Sequence, residues 1–151
     1  MRIDLHNYLV NLAKVAATRA TCKKRAVGAV IADANNKVIA VAYNGPPSGQ
    51  PHCHEKPCVA LTLSAPASHL ACRSIHAEAN ALMLAGRHAE GGTLAITTSP
   101  CLECAKLIVN AGIKTVIFGE TNRLFNGANT LYSQSPKDLL ESAGILVKEI
   151  V

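Results

Sequence analysis

From Ala77 to Ile150 the chain alternates between stretches with helical spacing and short apolar runs. This alternation limits the folds open to the chain more than any other feature. Helices are predicted over Ala77 to Gly86, Cys101 to Asn110 and Pro136 to Ala143, and strands over Thr93 to Thr97, Thr115 to Phe118 and Ile145 to Ile150. Repeated helix–strand units predict parallel strands with helices on the sheet faces. "NAGIK" and "SAGIL" each put Gly just past a helix end and directly before a strand, as a left-handed helix stop requires. Their shared Ala-Gly-Ile is turn chemistry and not a repeat.

The first half supplies the rest of a sheet. A helix is predicted from about Asp4 to Ala20, with Leu5, Leu9, Leu12, Val15 and Ala16 along one stripe. "AVGAVIAD" and "KVIAVAYN" read as a hairpin turned at Asn35-Asn36. Both strands are nearly all apolar, so both sheet faces are expected to be covered. At 151 residues the chain is long enough to bury one core. The fold expected is α/β: one domain over residues 1–151, a three-layer α/β/α sandwich around a central mixed five-stranded sheet.

Composition excludes other classes. With 49% apolar and 17% charged residues the chain is globular and not disordered. No apolar run reaches the roughly 20 residues that span a bilayer, and the early Asp4 with interleaved polar residues argues against a secretion signal. A cytoplasmic location is therefore expected, where thiols stay reduced. The six cysteines then need a reason other than disulfides, and His nearby points to metal. Bound thiolates and zinc would bring the formal charge of +5 down to about +3, so the basic balance overstates any attraction to nucleic acid.

The chemistry concentrates at two helix starts. Pro100, Cys101 and Cys104 stand where a strand gives way to a helix, whose N–H groups and dipole stabilise thiolates. Alone, Cys-x-x-Cys fits a redox pair, half a structural zinc site or two small core residues. His76-Ala77-Glu78 opens the preceding helix, where a plain core helix needs neither an imidazole nor a carboxylate. A catalytic zinc takes three protein ligands and leaves one position for water. His76, Cys101 and Cys104 would be those ligands, and Glu78 would carry protons beside them without binding the metal. His-x-Glu followed by Pro-Cys-x-x-Cys is the signature of zinc nucleobase deaminases.

Beyond these motifs the chain resembles the bacterial and phage deoxycytidylate (dCMP) deaminases of the cytidine deaminase superfamily. "ATRATC" with the basic run and "VGAVI", "AYNGPPSGQPHC", "CRSIHAEANAL" and "TSPCLECAKLIVNAGIKTVIF" carry the resemblance over nearly the whole chain. It implies hydrolysis of dCMP to dUMP with release of ammonia, with Glu78 protonating N3 and later the leaving amine. It implies Asn44 as a nucleotide contact, with Ala77, Ser99 and Arg123 also in the substrate site. Lys24 and Arg25 are candidates for the phosphate, which needs cationic partners. Relatives commonly have an aromatic residue just before that Arg; here it is Asn122, with Phe125 as a nearby substitute. The resemblance also implies a homo-oligomer, and dCTP and dTTP are effectors of some relatives.

Residues Gly45 to Ser74 form a long loop with five Pro and with Cys53, Cys58 and Cys72. A loop of this length in a compact domain is usually functional or held by something. The resemblance implies a second, structural zinc held by Cys22, Cys53, Cys58 and Cys72, with His69 or His54 as a substitute for Cys72. Four buried or reactive free thiols are the alternative. Rival substrates are cytidine, guanine or a 5-substituted dCMP. An RNA or single-stranded DNA editing deaminase fits less well, because stacking platforms are scarce: three Tyr, two Phe and no Trp. A non-enzymatic zinc interaction module would have no need of Glu78.

Overall fold

The computed structural model describes residues 1–122, 124–127 and 134–150. Helix α1, Leu5–Ala17, begins where the Asp4 carboxylate accepts the Asn7 N–H at 3.1 Å. Its buried stripe is Leu9, Val10, Ala13 and Ala16, with Leu5 and Leu12 partly buried. Val15, expected in that stripe, is 66% exposed instead. The period of 3.6 is satisfied by Ala13 and Ala16, whose small side chains let the helix lie close to the sheet.

Strands β1, Gly28–Ala32, and β2, Val38–Tyr43, form the expected hairpin, turned through Asn36 in the left-handed region at φ 63°. Strand β3, Thr93–Ile96, pairs antiparallel with β1. Strands β4, Thr115–Phe118, and β5, Leu146–Glu149, continue the sheet in parallel. The order β2-β1-β3-β4-β5 is the mixed five-stranded sheet the sequence predicts. Gly112 and Gly144, the two predicted helix stops, adopt φ of 75° and 79°.

Strand alternation sorts side chains to two faces. Val30, Ala32, Ala95 and Ile117 meet α1. Ala29, Ile31, Leu94, Ile96, Val116 and Phe118 meet three helices on the other face: α4, Ala77–Ala85; α5, Leu102–Asn110; and α6, Pro136–Ser142. The expectation that β2 is covered on both faces fails. It is an edge strand, and Val41 and Tyr43 on one of its faces are exposed. On α4 the helical spacing of Ala77, Ala81, Leu82 and Leu84 predicts one buried face, yet Leu84 is exposed; Ala77, Ala81 and Ala85 form the ridge that packs on the sheet.

Between β2 and α4 the long segment holds three short turns: a 3-10 turn at Cys53–Glu55, α2 at Val59–Thr62 and α3 at Ala67–Ala71. Its last residue before the His76 helix start is tied back to β2, because Gly45 and Ile75 exchange backbone hydrogen bonds of 3.2 and 2.8 Å. The Asn80 amide adds a bond to the Tyr43 carbonyl at 3.0 Å. The start of α4 is thereby fixed at the same end of the sheet as the strand-to-helix turn that carries Cys101.

Candidate metal centre and active site

The parallel strands point their carboxyl ends toward one rim of the sheet, where a ligand site is expected in an α/β fold. His76 is the N-cap of α4 and Cys101 the N-cap of α5, and Cys104 lies in the first turn of α5. The His76 Nδ1 sits 3.5 Å from the Cys101 sulfur and 3.4 Å from the Cys104 sulfur. All three ligand atoms lie within 4.8 Å of one another, the one such group of three among the described residues.

This arrangement fits zinc. Bond lengths of about 2.0–2.1 Å to nitrogen and 2.3 Å to sulfur at a tetrahedral angle set N···S at about 3.6 Å. The two measured separations are close to that figure. One neutral imidazole and two thiolates also balance the charge of a divalent ion.

The protein groups alone already prepare part of this donor set. The Cys101 thiol is pulled down to about 4, first by its hydrogen bond with Cys104 and then by His76, in spite of burial. His76 is pushed up to about 9, chiefly by its bond with Cys101. Cys104 moves the other way, raised by its contact with the Cys101 sulfur and by burial. Glu78 stands in the first turn of α4, 4% exposed, and burial pushes its carboxyl up to about 7. Its oxygens are not part of the three-ligand group, yet Cys101, His76 and Cys104 all act on its charge. The geometry therefore brings together all four residues that the two motifs single out.

Of the expected substrate contacts, Ala77 and Ser99 are buried, Ala77 directly after His76 and Ser99 two residues before Cys101. Ser99 accepts the Asn122 N–H at 2.7 Å, and its own N–H donates to the Glu120 carbonyl at 2.8 Å. Asn44 is 7% exposed, and its side chain ties two backbone groups together: Oδ1 accepts the Val27 N–H and Nδ2 donates to the Arg25 carbonyl, both at 2.9 Å. Lys24 and Arg25 are exposed. Arg123 lies outside the described residues. Phe125 does not stand in for the missing aromatic: it is 3% exposed and packs edge-on against Phe118, ring centroids 5.0 Å apart.

Cys53, Cys58 and Cys72 line one small cavity of about 30 Å³ with Pro57 and Arg73. Burial raises the Cys53 thiol, and the charge of Cys22 adds to the rise. These four cysteines approach one another without forming a group of three within 4.8 Å. His54 stacks on His52 and His69 is exposed on α3, so neither joins the cavity lining.

Two features escaped the sequence reading. Glu120 pairs with Arg25 at 3.0 Å, and the Thr97 hydroxyl accepts the Gly28 N–H at 3.2 Å. Both residues follow the carboxyl end of a parallel strand, and that position is the signal that marks them.

A family model described as cytidine and deoxycytidylate deaminase zinc-binding region matches residues 3–120. The deoxycytidylate deaminase of Saccharomyces cerevisiae is 35% identical over 151 residues, covering 99% of this chain. This chain spans only 46% of that longer relative. The deoxycytidylate deaminase of Mycobacterium phage D29 is 34% identical over 123 residues, which is 78% of this chain and 95% of the phage protein. Among solved structures, the dCMP deaminase of cyanophage S-TIM5 in complex with dCMP and dUMP superposes with a TM-score of 0.77 at 27% identity, covering 99% of both chains. The matched region contains His76, Glu78, Cys101 and Cys104, and this chain belongs to the cytidine and deoxycytidylate deaminase family.

Proposed function

We propose that this chain hydrolyses dCMP to dUMP and ammonia in a zinc-dependent reaction, a step that supplies dUMP for thymidylate synthesis. The observation that carries this reading is the convergence of the His76 nitrogen and the Cys101 and Cys104 sulfurs at two helix starts, with a buried carboxylate next to them. The likeness to a dCMP- and dUMP-bound phage deaminase over 99% of the chain supports the choice of substrate.

His76, Cys101 and Cys104 would hold the ion. When bound, zinc would supply the Lewis acidity that makes water a nucleophile at neutral pH. Glu78 moves the protons. Burial holds the Glu78 carboxyl above the usual carboxylate range, and a carboxyl so placed can take and give a proton. Glu78 receives the water's proton, delivers it to ring N3, and later carries one to the leaving 4-amino group. Burial of Glu78 in the first turn of α4 keeps this carboxylate out of bulk water. The exposed Arg25 and Lys24 are the cations for the 5′-phosphate, and Asn44 holds the Arg25 backbone in place through its carbonyl.

A second zinc at Cys22, Cys53, Cys58 and Cys72 is supported by the shared cavity of three of these residues. Closing a tetrahedral site requires the four sulfurs to draw together. Two zinc ions per chain by metal analysis support it, and one ion rejects it. Self-association is supported by the exposed Met83, Leu84 and Leu107 on α4 and α5, with light scattering as its test. Regulation by dCTP and dTTP is tested by adding each to the assay.

The test of the function is ammonia release from a panel: dCMP, deoxycytidine, cytidine, CMP, 5-methyl-dCMP and guanine. The expected result is the highest kcat/KM for dCMP. A clear preference for any other member overturns the substrate assignment. No release from any member overturns the deaminase reading.

A further inference from the structure

Arg25 and Glu120 make an ion pair, Nη2 to Oε2 at 3.0 Å, between the segment before β1 and the segment after β4. Strand β3 lies between those two strands, so the pair crosses over the carboxyl end of β3. Below it runs the Ser99-to-Cys101 turn that leads into α5. The two backbones are anchored, the Arg25 carbonyl by the Asn44 amide and the Glu120 carbonyl by the Ser99 N–H. The side chains are not: they are 43% and 73% exposed. An ion pair this exposed is weak and yields its cation to a stronger anion. A 5′-phosphate carries nearly two charges and three acceptor oxygens against one charge on a carboxylate, and it matches the guanidinium fork.

Resting on the assignment of Arg25 to the substrate phosphate, we propose that Glu120 is a specificity-determining residue that competes with the nucleotide phosphate for Arg25. In the free protein its carboxylate holds the guanidinium over the strand end. A nucleoside monophosphate displaces it, while a nucleoside leaves the pair intact. Glu120 therefore lowers the advantage of nucleotide over nucleoside, and it keeps Arg25 from weaker anions.

The test compares kcat/KM for dCMP and for deoxycytidine in the zinc-loaded protein and three variants. Glu120→Gln raises the dCMP-to-deoxycytidine ratio by roughly twofold to fivefold, the range of an exposed ion pair. Arg25→Gln lowers that ratio by roughly tenfold or more, as expected for a charge-assisted bond. Adding Glu120→Gln to Arg25→Gln produces no further change. A ratio that is unchanged or lower in Glu120→Gln, with Arg25→Gln impaired, overturns the role of Glu120 alone. An unimpaired Arg25→Gln removes the phosphate assignment and the proposal with it. Wild-type protein that turns over deoxycytidine as well as dCMP overturns the substrate reading instead.

Discussion

Replacing Gly28 with Ala drives a methyl group into the helix that covers the sheet. The new Cβ lies 1.9 Å from the Ala13 carbonyl oxygen and 2.6 Å from the Ala17 nitrogen. Both are backbone atoms, so no side chain can rotate away. Ordinary contact begins at 3.4 Å, and α1 must therefore lift by about 1.5 Å at this point. A radial gap of 0.5–1 Å already forfeits roughly a quarter to a half of the dispersion energy of each contact. Leu9, Val10 and Ala13 pack through this face onto Val30, Ala95 and Ile117. Overpacked cores cost about 1–3 kcal/mol when side chains can adjust. Here the neighbours are backbone, so the expected loss is about 3 kcal/mol or more, with Tm lower by roughly 6–12 °C. Gly28 also bonds to Thr97 in both directions, N–H to hydroxyl and carbonyl to N–H, three residues before Pro100. Zinc retention should therefore fall along with stability. Thermal and urea unfolding at saturating zinc is the assay. Gly45→Ala is the control, since a Cβ there meets nothing within 4 Å. A Gly28→Ala protein within 1 kcal/mol of wild type would refute the close approach of α1 to β1.

Further expectations concern groups near the site. The Thr98 hydroxyl is buried without a hydrogen-bond partner among the described residues. Thr98→Val keeps its shape and should stabilise the protein by roughly 1 kcal/mol in urea unfolding, and a clear loss of stability would mean that the hydroxyl has a partner. Asn44→Ala strands the Val27 N–H and the Arg25 carbonyl, so unfolding should show a loss of about 2 kcal/mol; an unaltered midpoint would assign Asn44 to the substrate alone. With its thiol held near 4, Cys101 is a thiolate from about pH 5.5 upward. In chelator-stripped protein its iodoacetamide labelling, read by mass spectrometry, should stay nearly constant from pH 5.5 to 8. A tenfold fall per pH unit on acidification, as an ordinary thiol shows, would contradict the pairing with His76 and Cys104.

The sequence was most readable where side chains alternate or recur over several turns. β3, β4, α5 and the two Gly helix stops fall within a residue or two of their predicted positions, because apolar period and turn chemistry act locally. The candidate site was readable because His76, Glu78, Cys101 and Cys104 have no use in a plain core at those helix starts. What depended on neighbours distant in sequence was misread. Val15 and Leu84 are apolar but face solvent, since small residues win the close approach to the sheet: Ala13 and Ala16 on α1, Ala81 and Ala85 on α4. β2 reads as a covered strand by composition, and only the sheet order makes it an edge. Phe125 was expected near the nucleotide, yet the pull of Phe118 places it in the core. The Arg25–Glu120 pair joins residues 95 apart and leaves no mark on local pattern.

The proposed reaction depends most on Glu78 as the proton carrier beside a His76–Cys101–Cys104 zinc centre. Glu78→Gln preserves the shape of the side chain and removes its ability to shuttle protons. The decisive measurement is ammonia release from dCMP by this variant, with zinc content determined on the same sample. The predicted result is wild-type zinc occupancy and a rate lower by roughly 10²- to 10⁴-fold. A zinc-loaded variant that releases ammonia within tenfold of the wild-type rate would contradict the mechanism.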